Sequence, residues 1–207
     1  MRIFNKPRFL LITLILSLFL FTSFATVSSH ASPNGLVIDT SNIILGKVYY
    51  DNFSMVAKKL TSANGIGYCL QIDKDYPHSE IFTNQGTVNY DIENILACGY
   101  PNRSPKDLNL PSEEDAYFAT QIAIWSYIEG YDTSKITGDR PEIITAINTI
   151  YNNSLTLKNV KLNYDTNLFF TADSIQHVVI LSINISESLP ISDISPIIDE
   201  SNIIPGK

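Results

Sequence analysis

The 207-residue sequence predicts an α+β domain. Three observations predict it: strand-like runs rich in β-branched and aromatic residues come first, helical patterns with recognisable ends occupy the middle, and strand-like runs return after Asn153. An alternating βαβ protein would interleave the two instead.

The chain opens on a segment to be set aside from the fold. Arg2, Lys6 and Arg8 form a basic stretch, Phe9 to Phe21 is an apolar run of thirteen, and Ser29-His30-Ala31 supplies small residues at a cleavage position. Residues 1–31 therefore read as a secretory signal peptide. Thirteen helical residues reach only about 20 Å across a hydrocarbon core roughly 30 Å thick, which argues against a retained anchor. The domain itself is expected over residues 32–185.

Leu36–Asp39 and Ile44–Tyr50 read as short strands. Ile66–Ile72 reads as a third, bounded by Gly65 and by Asp73, Asp75 and Pro77. Tyr90–Cys98 reads as a short helix that stops at Gly99 and Pro101. A polar loop with Pro105 follows. Ser112-Glu113-Glu114-Asp115 approximates a capping box and starts a helix that runs to about Glu129, with Gly130 as its stop. A further helix runs from Pro141 to about Tyr151. Asp139 is its expected N-cap, and Ile143, Ile144, Ile147 and Ile150 or Tyr151 form its apolar face. Val160–Phe170 and Ile175–Ile185 return to strand character. Residues 186–207 hold three prolines among Ser and Asp, and read as an extended tail or linker.

The apolar content of 44% with 17% charged residues suits a globular core. Losing Arg2, Lys6 and Arg8 from 14 basic residues leaves 11 against 21 acidic ones, a formal charge of −10. So acidic a chain, without a Lys/Arg cluster, is unsuited to nucleic acid and to anionic membranes. No membrane insertion is expected after signal cleavage. No cofactor is implied, nor a metal: outside the leader only His78 and His177 remain, neither at ligand spacing to a cysteine.

Two residues stand out. Cys69 lies in a strand-like run of an exported chain whose other cysteine is Cys98. Gln121 lies on a helix with Tyr117, Ile124, Trp125 and Ile128 on its own face, and Ile122 and Ala123 beside it. Export makes a Cys69–Cys98 disulfide one expectation, and Cys98 as a small buried hydrophobe at the end of an apolar helix another. A glutamine among apolar neighbours must find hydrogen bonds, since burying an unpaired amide costs about 1–3 kcal/mol. It can do so against a loop backbone, as a packing device. Alternatively, a cysteine sulfur can attack the glutamine carbonyl carbon and expel ammonia, leaving an internal thioester. That chemistry needs a polarised carbonyl, a stabilised oxyanion and rigid near-attack geometry.

The segments "GYCL" (Gly67–Leu70), "GYPN" (Gly99–Asn102) and "ATQIAIW" (Ala119–Trp125) resemble the thioester domains of Gram-positive surface adhesins, whose motif is Thr-Gln-x-Ala-Ile/Val-Trp. Thr120, Gln121, Ala123, Ile124 and Trp125 match it, and Tyr68 and Cys69 match the upstream aromatic-Cys pair. The resemblance implies a β-rich core, sandwich or barrel-like, with an inserted helical subdomain. It implies Cys69 and Gln121 as the thioester pair, with Tyr68, Thr120, Ala123 and Trp125 as motif support. It also implies a secreted or surface-bound adhesin, expected as a monomer, that reacts once with a lysine amine of a host surface or matrix protein. Such a domain is not a catalyst. The rivals are a non-covalent secreted binding module with a structural Cys69–Cys98 disulfide, and a cysteine hydrolase or transglutaminase, which lacks a local signature here. Gln71, two residues from Cys69, competes with Gln121 as acyl donor. Tyr68, Tyr117 and, more weakly, His78 are candidates for activating the pair.

Overall fold

A computed structural model describes residues 35–158 and 162–183. The expected leader 1–31 and the expected tail 186–207 lie outside these residues, as do the expected strand ends at 160–161 and 184–185. Strands precede and follow a block of helices, as the order of patterns predicts. β1 (Gly35–Tyr50), β2 (Phe53–Ser62), β3 (Gly65–Cys69) and β4 (Ile81–Thr87) come before the helices; β5 (Tyr164–Phe170) and β6 (Val178–Ile183) come after. They close an antiparallel barrel in the order β1-β2-β3-β6-β5-β4. Closure gives every strand two neighbours, although β2 and β3 pair over only three residue pairs. The α+β class with a barrel-like core therefore stands.

Three helices are inserted between β4 and β5: α1 (Tyr90–Cys98), α2 (Glu113–Glu129) and α3 (Pro141–Ser154). α1 has the bounds its pattern predicts, with Asn89 as the cap that accepts from Ile92 N. Ser112 caps α2 by accepting from Asp115 N, and Gly130 ends it in the left-handed conformation (φ 68°) that glycine adopts without strain. Every residue of α2 from Asp115 to Ser126 is buried, so this helix is enclosed on all sides rather than amphipathic. α3 keeps Pro141 in its first turn, and Ile143, Ile147 and Ile150 are buried. Its cap is Arg140 rather than Asp139, and it makes no side-chain cap bond. The Arg140 guanidinium instead grips the Asp115 carboxylate through both terminal nitrogens, Nη2 lying 2.8 Å from Oδ2, and bonds Glu142 through Nε.

Several strand expectations are revised. The two runs from Leu36 to Tyr50 form one long strand, which carries register shifts against β2 between Thr40 and Gly46. β2 escapes sequence patterning because its buried positions, Met55, Ala57 and Leu60, break the two-residue alternation. β4 escapes because Phe82 is its only buried residue. β3 ends at Cys69, not Ile72.

Candidate functional site

Cys69 is the last residue of β3 and pairs with Val178 of β6. The next residue, Leu70, turns its N–H to His177 O on the β6 side. Backbone groups alternate along a strand, so the N–H and C=O of Cys69 point the other way, toward β2. β2 does not receive them, because its pairing with β3 runs only over Leu60–Gly67, Thr61–Ile66 and Ser62–Gly65. Gln121 does. Its Oε1 accepts from Cys69 N at 2.9 Å and its Nε2 donates to Cys69 O at 2.8 Å. The primary amide thus completes the free strand edge as a peptide group would. Cys69 and Gln121 are 0% and 1% exposed.

This explains a polar group on an enclosed helix. The amide is satisfied by two buried hydrogen bonds, and these bring its side chain to the cysteine backbone. Burial pushes the Cys69 thiol well up, so it rests protonated.

Two tyrosines frame the pair. The rings of Tyr68 and Tyr117 stack with centroids 4.5 Å apart. Tyr117 Oη accepts from Leu60 N at 3.1 Å and donates to Gly67 O at 2.7 Å, inserting a hydroxyl into the β2–β3 ladder. Burial raises both phenols well above their ordinary range; for Tyr117, charge on Cys69 adds to that. Tyr68 Oη donates to Tyr100 O at 2.6 Å, while Tyr100 N donates to Thr120 Oγ1 at 2.9 Å. Tyr68 of the aromatic-Cys pair and Thr120 of the Thr-Gln pair therefore hold the same residue of the "GYPN" segment. The Tyr100–Pro101 peptide is cis.

The remaining motif residues serve the core. Ala123 is fully buried, and Trp125 is buried with its indole N–H unpartnered among the described residues. His78 is exposed, with its N–H bonded to Glu80. Gln71, the rival acyl donor, uses Oε1 to accept from His177 N at 3.0 Å.

The expected Cys69–Cys98 disulfide is not formed: both cysteines are buried free thiols. Cys98 faces elsewhere, lining a cavity of about 360 Å³ with Arg103, Asp107, Thr149 and Asn153. Its position at the end of α1 gives it the role of a small apolar residue. Sequence patterning missed Tyr76, whose phenol is pushed up by burial and by charge on Cys69; a lone tyrosine in a turn-rich stretch carries no signal.

A family model described as "TED: Thioester domain" matches residues 66–156, a span that holds both Cys69 and Gln121. No curated protein matches the chain by sequence. Among solved structures the fold is similar to the Bacillus anthracis TIE protein, with a TM-score of 0.63 and 13% identity over 71% of this chain. The chain spans 46% of that protein's length. It is also similar to the thioester domain of the Enterococcus faecium TIE86 protein (TM-score 0.54, 14% identity, 74% of this chain and 78% of that one). A third is the N-terminal domain of the Streptococcus pyogenes pilus tip adhesin Cpa (TM-score 0.53, 19% identity, 75% and 96%). At these identities the likeness is one of fold, and the family model adds the sequence signature. Residues 66–156 thus carry the thioester-domain match, and the fold around them is that of the solved thioester domains.

Proposed function

We propose that Cys69 and Gln121 close an internal thioester, which reacts once with an amine on a host surface molecule and leaves the domain amide-linked to it. The observation that carries this is the two-point pairing of the Gln121 amide with the Cys69 backbone in a fully buried setting. In the first step Cys69 Sγ attacks Gln121 Cδ. The C–N bond breaks, and ammonia leaves with the proton the thiol gives up. Cys69 N–H already donates to Oε1, the atom on which negative charge builds during attack, and so acts as a preorganised oxyanion donor. A thiol kept neutral by burial still holds the proton that the leaving nitrogen needs.

In the second step an amine attacks the same carbon. The C–S bond breaks, the amine's proton returns to sulfur, and an amide replaces the thioester. The acyl group is used up, so the domain acts once and is not a catalyst. A lysine of a host matrix or surface protein is the expected amine. A leader over 1–31, the domain over 32–185 and a linker over 186–207 fit an exported, surface-displayed monomer. Non-covalent docking of the partner precedes reaction and raises its effective concentration.

Intact mass tests this. Fresh wild-type protein kept from amines is expected to be lighter by one ammonia, and Cys69→Ala and Gln121→Ala to show their full masses. A wild-type mass without the deficit sinks the proposal. With host matrix proteins, wild type is then expected to form an adduct that survives denaturant and reductant, and Cys69→Ala none.

A further inference from the structure

A reactive pair this deeply buried needs a route for its amine. β2 and β3 separate beside it. Their ladder ends at Leu60–Gly67, while β3 stays on β6 through Cys69–Val178. Among the described residues, the β2 edge from Lys58 back to Val56 therefore has no strand against it. Two tyrosine hydroxyls fill the seam. Tyr117 Oη bridges Leu60 N and Gly67 O and reaches Lys58 O at 3.4 Å. Tyr76 Oη, arriving from the turn-rich stretch beyond β3, accepts from Lys58 N at 3.2 Å and approaches Val56 O at 3.5 Å. Gln121 lines the same seam, since it occupies the Cys69 edge that faces away from β6.

The two closures differ in strength. Tyr117 is fully buried, stacked on Tyr68, and holds a 2.7 Å bond. Tyr76 is only partly buried, and its bonds lie at the long limit for a hydroxyl. On its ring face lies Lys58 Nζ, 5.6 Å from the centroid. The stretch behind Tyr76 is anchored separately, by Asp75 N to Ser174 O, Gln176 N to Asp75 O and Thr40 Oγ1 to Pro77 O. The Tyr76 side chain is thus the weak closure in an otherwise fixed wall, and it can swing without moving the backbone that bears it.

We infer that Tyr76 determines which amines react: the nucleophile reaches the Gln121 acyl carbon through the β2–β3 seam, by displacing the Tyr76 side chain from Lys58 and Val56. The inference rests on the thioester proposed above. A seam one side chain wide admits an unbranched primary amine, such as the end of a lysine side chain, and rejects a branched one. Water uses the same opening, so Tyr76 also protects the thioester from hydrolysis.

The test is the rate of adduct formation with methylamine and with tert-butylamine, read by intact mass for wild type, Tyr76→Phe and Tyr76→Ala. Tyr76→Phe keeps the ring and loses both hydroxyl bonds, so methylamine uptake is expected to rise roughly fivefold. In Tyr76→Ala the preference for methylamine over tert-butylamine is expected to collapse. A variant isolated with Gln121 already hydrolysed to the acid supports the inference, since water has used the opening. Methylamine rates equal to or below wild type, in protein that shows the ammonia deficit, overturn it while leaving the thioester intact. So does a folded variant that never closes its thioester. A wild type without the deficit overturns both. Should Tyr76→Ala fail to fold, Tyr76→Phe decides alone.

Discussion

Gly99 lies against the side chain of Thr120 so closely that a Cβ built on it would stand 2.5 Å from Thr120 Cγ2 and 2.6 Å from Oγ1. The backbone of Gly99 is extended (φ −110°), so space, not conformation, calls for glycine here. Thr120 cannot retreat easily, because Oγ1 accepts from Tyr100 N and donates to Ala116 O. Gly99→Ala is expected to cost about 2 kcal/mol, a typical overpacking penalty. The double variant Gly99→Ala/Thr120→Ala should be more stable than the sum of the single changes predicts, since removing the threonine makes room. Urea denaturation of the four proteins checks this; simple additivity would count against the contact.

Tyr117→Phe removes one hydroxyl and leaves two buried partners, Leu60 N–H and Gly67 C=O, without a bond. A loss of about 2 kcal/mol is expected. The effect is local in origin, so amide exchange at Leu60 should speed up more than at Ile38, which is equally buried but lies on β1. Uniform acceleration across the barrel would contradict the bridging role.

The parts of this fold that show in the sequence are those governed by local rules. α1 and α2 have end signals that depend on one or two residues: Gly99 and Pro101 after α1, Ser112 as the cap of α2, and Gly130 as its left-handed stop. The Cys69–Gln121 contact is legible because a glutamine on an otherwise enclosed helix demands a partner, and because its flanking residues resemble a known motif. What the sequence hid depends on distant strands. β2 loses its alternation at the bulged stretch of β1, and Tyr76 reaches Lys58 only because β3 leaves β2 after Gly67. Arg140 rather than Asp139 is the cap of α3, and its guanidinium is held by Asp115, 25 residues earlier. No window of sequence contains both.

That ion pair gives a pH dependence. The Arg140 guanidinium holds the Asp115 carboxyl below its ordinary range. The unfolded chain therefore takes up the proton at higher pH than the folded one. The pair's contribution is complete above about pH 5 and falls away as pH drops through the folded value. Arg140 is partly exposed (44% for its side chain), so the pair is screened and Arg140→Ala should cost only about 1 kcal/mol at neutral pH. The stability gap between wild type and Arg140→Ala should narrow from pH 6 toward pH 3. A constant gap would mean that the pair contributes through packing alone.

In the proposed thioester, which glutamine carries the acyl group follows from where each amide is held. Gln71 lies two residues from Cys69, but its Oε1 is committed to His177 N on the β6 side. Gln121 addresses the opposite edge, with Oε1 on Cys69 N and Nε2 on Cys69 O. A bond from Cys69 to Gln71 would also close a small, strained ring, whereas Gln121 approaches from a separate, rigid helix. After methylamine treatment, peptide mapping is expected to find the methylamide on the peptide that contains Gln121. Gln71→Ala should keep the ammonia deficit of the wild type. Gln121→Asn, one methylene shorter, should lose it, because its carbonyl carbon is drawn back along α2 away from the sulfur. Methylamide found on Gln71, or a deficit that survives Gln121→Asn, would move the acyl group to another residue and return Gln121 to the role of a packing amide.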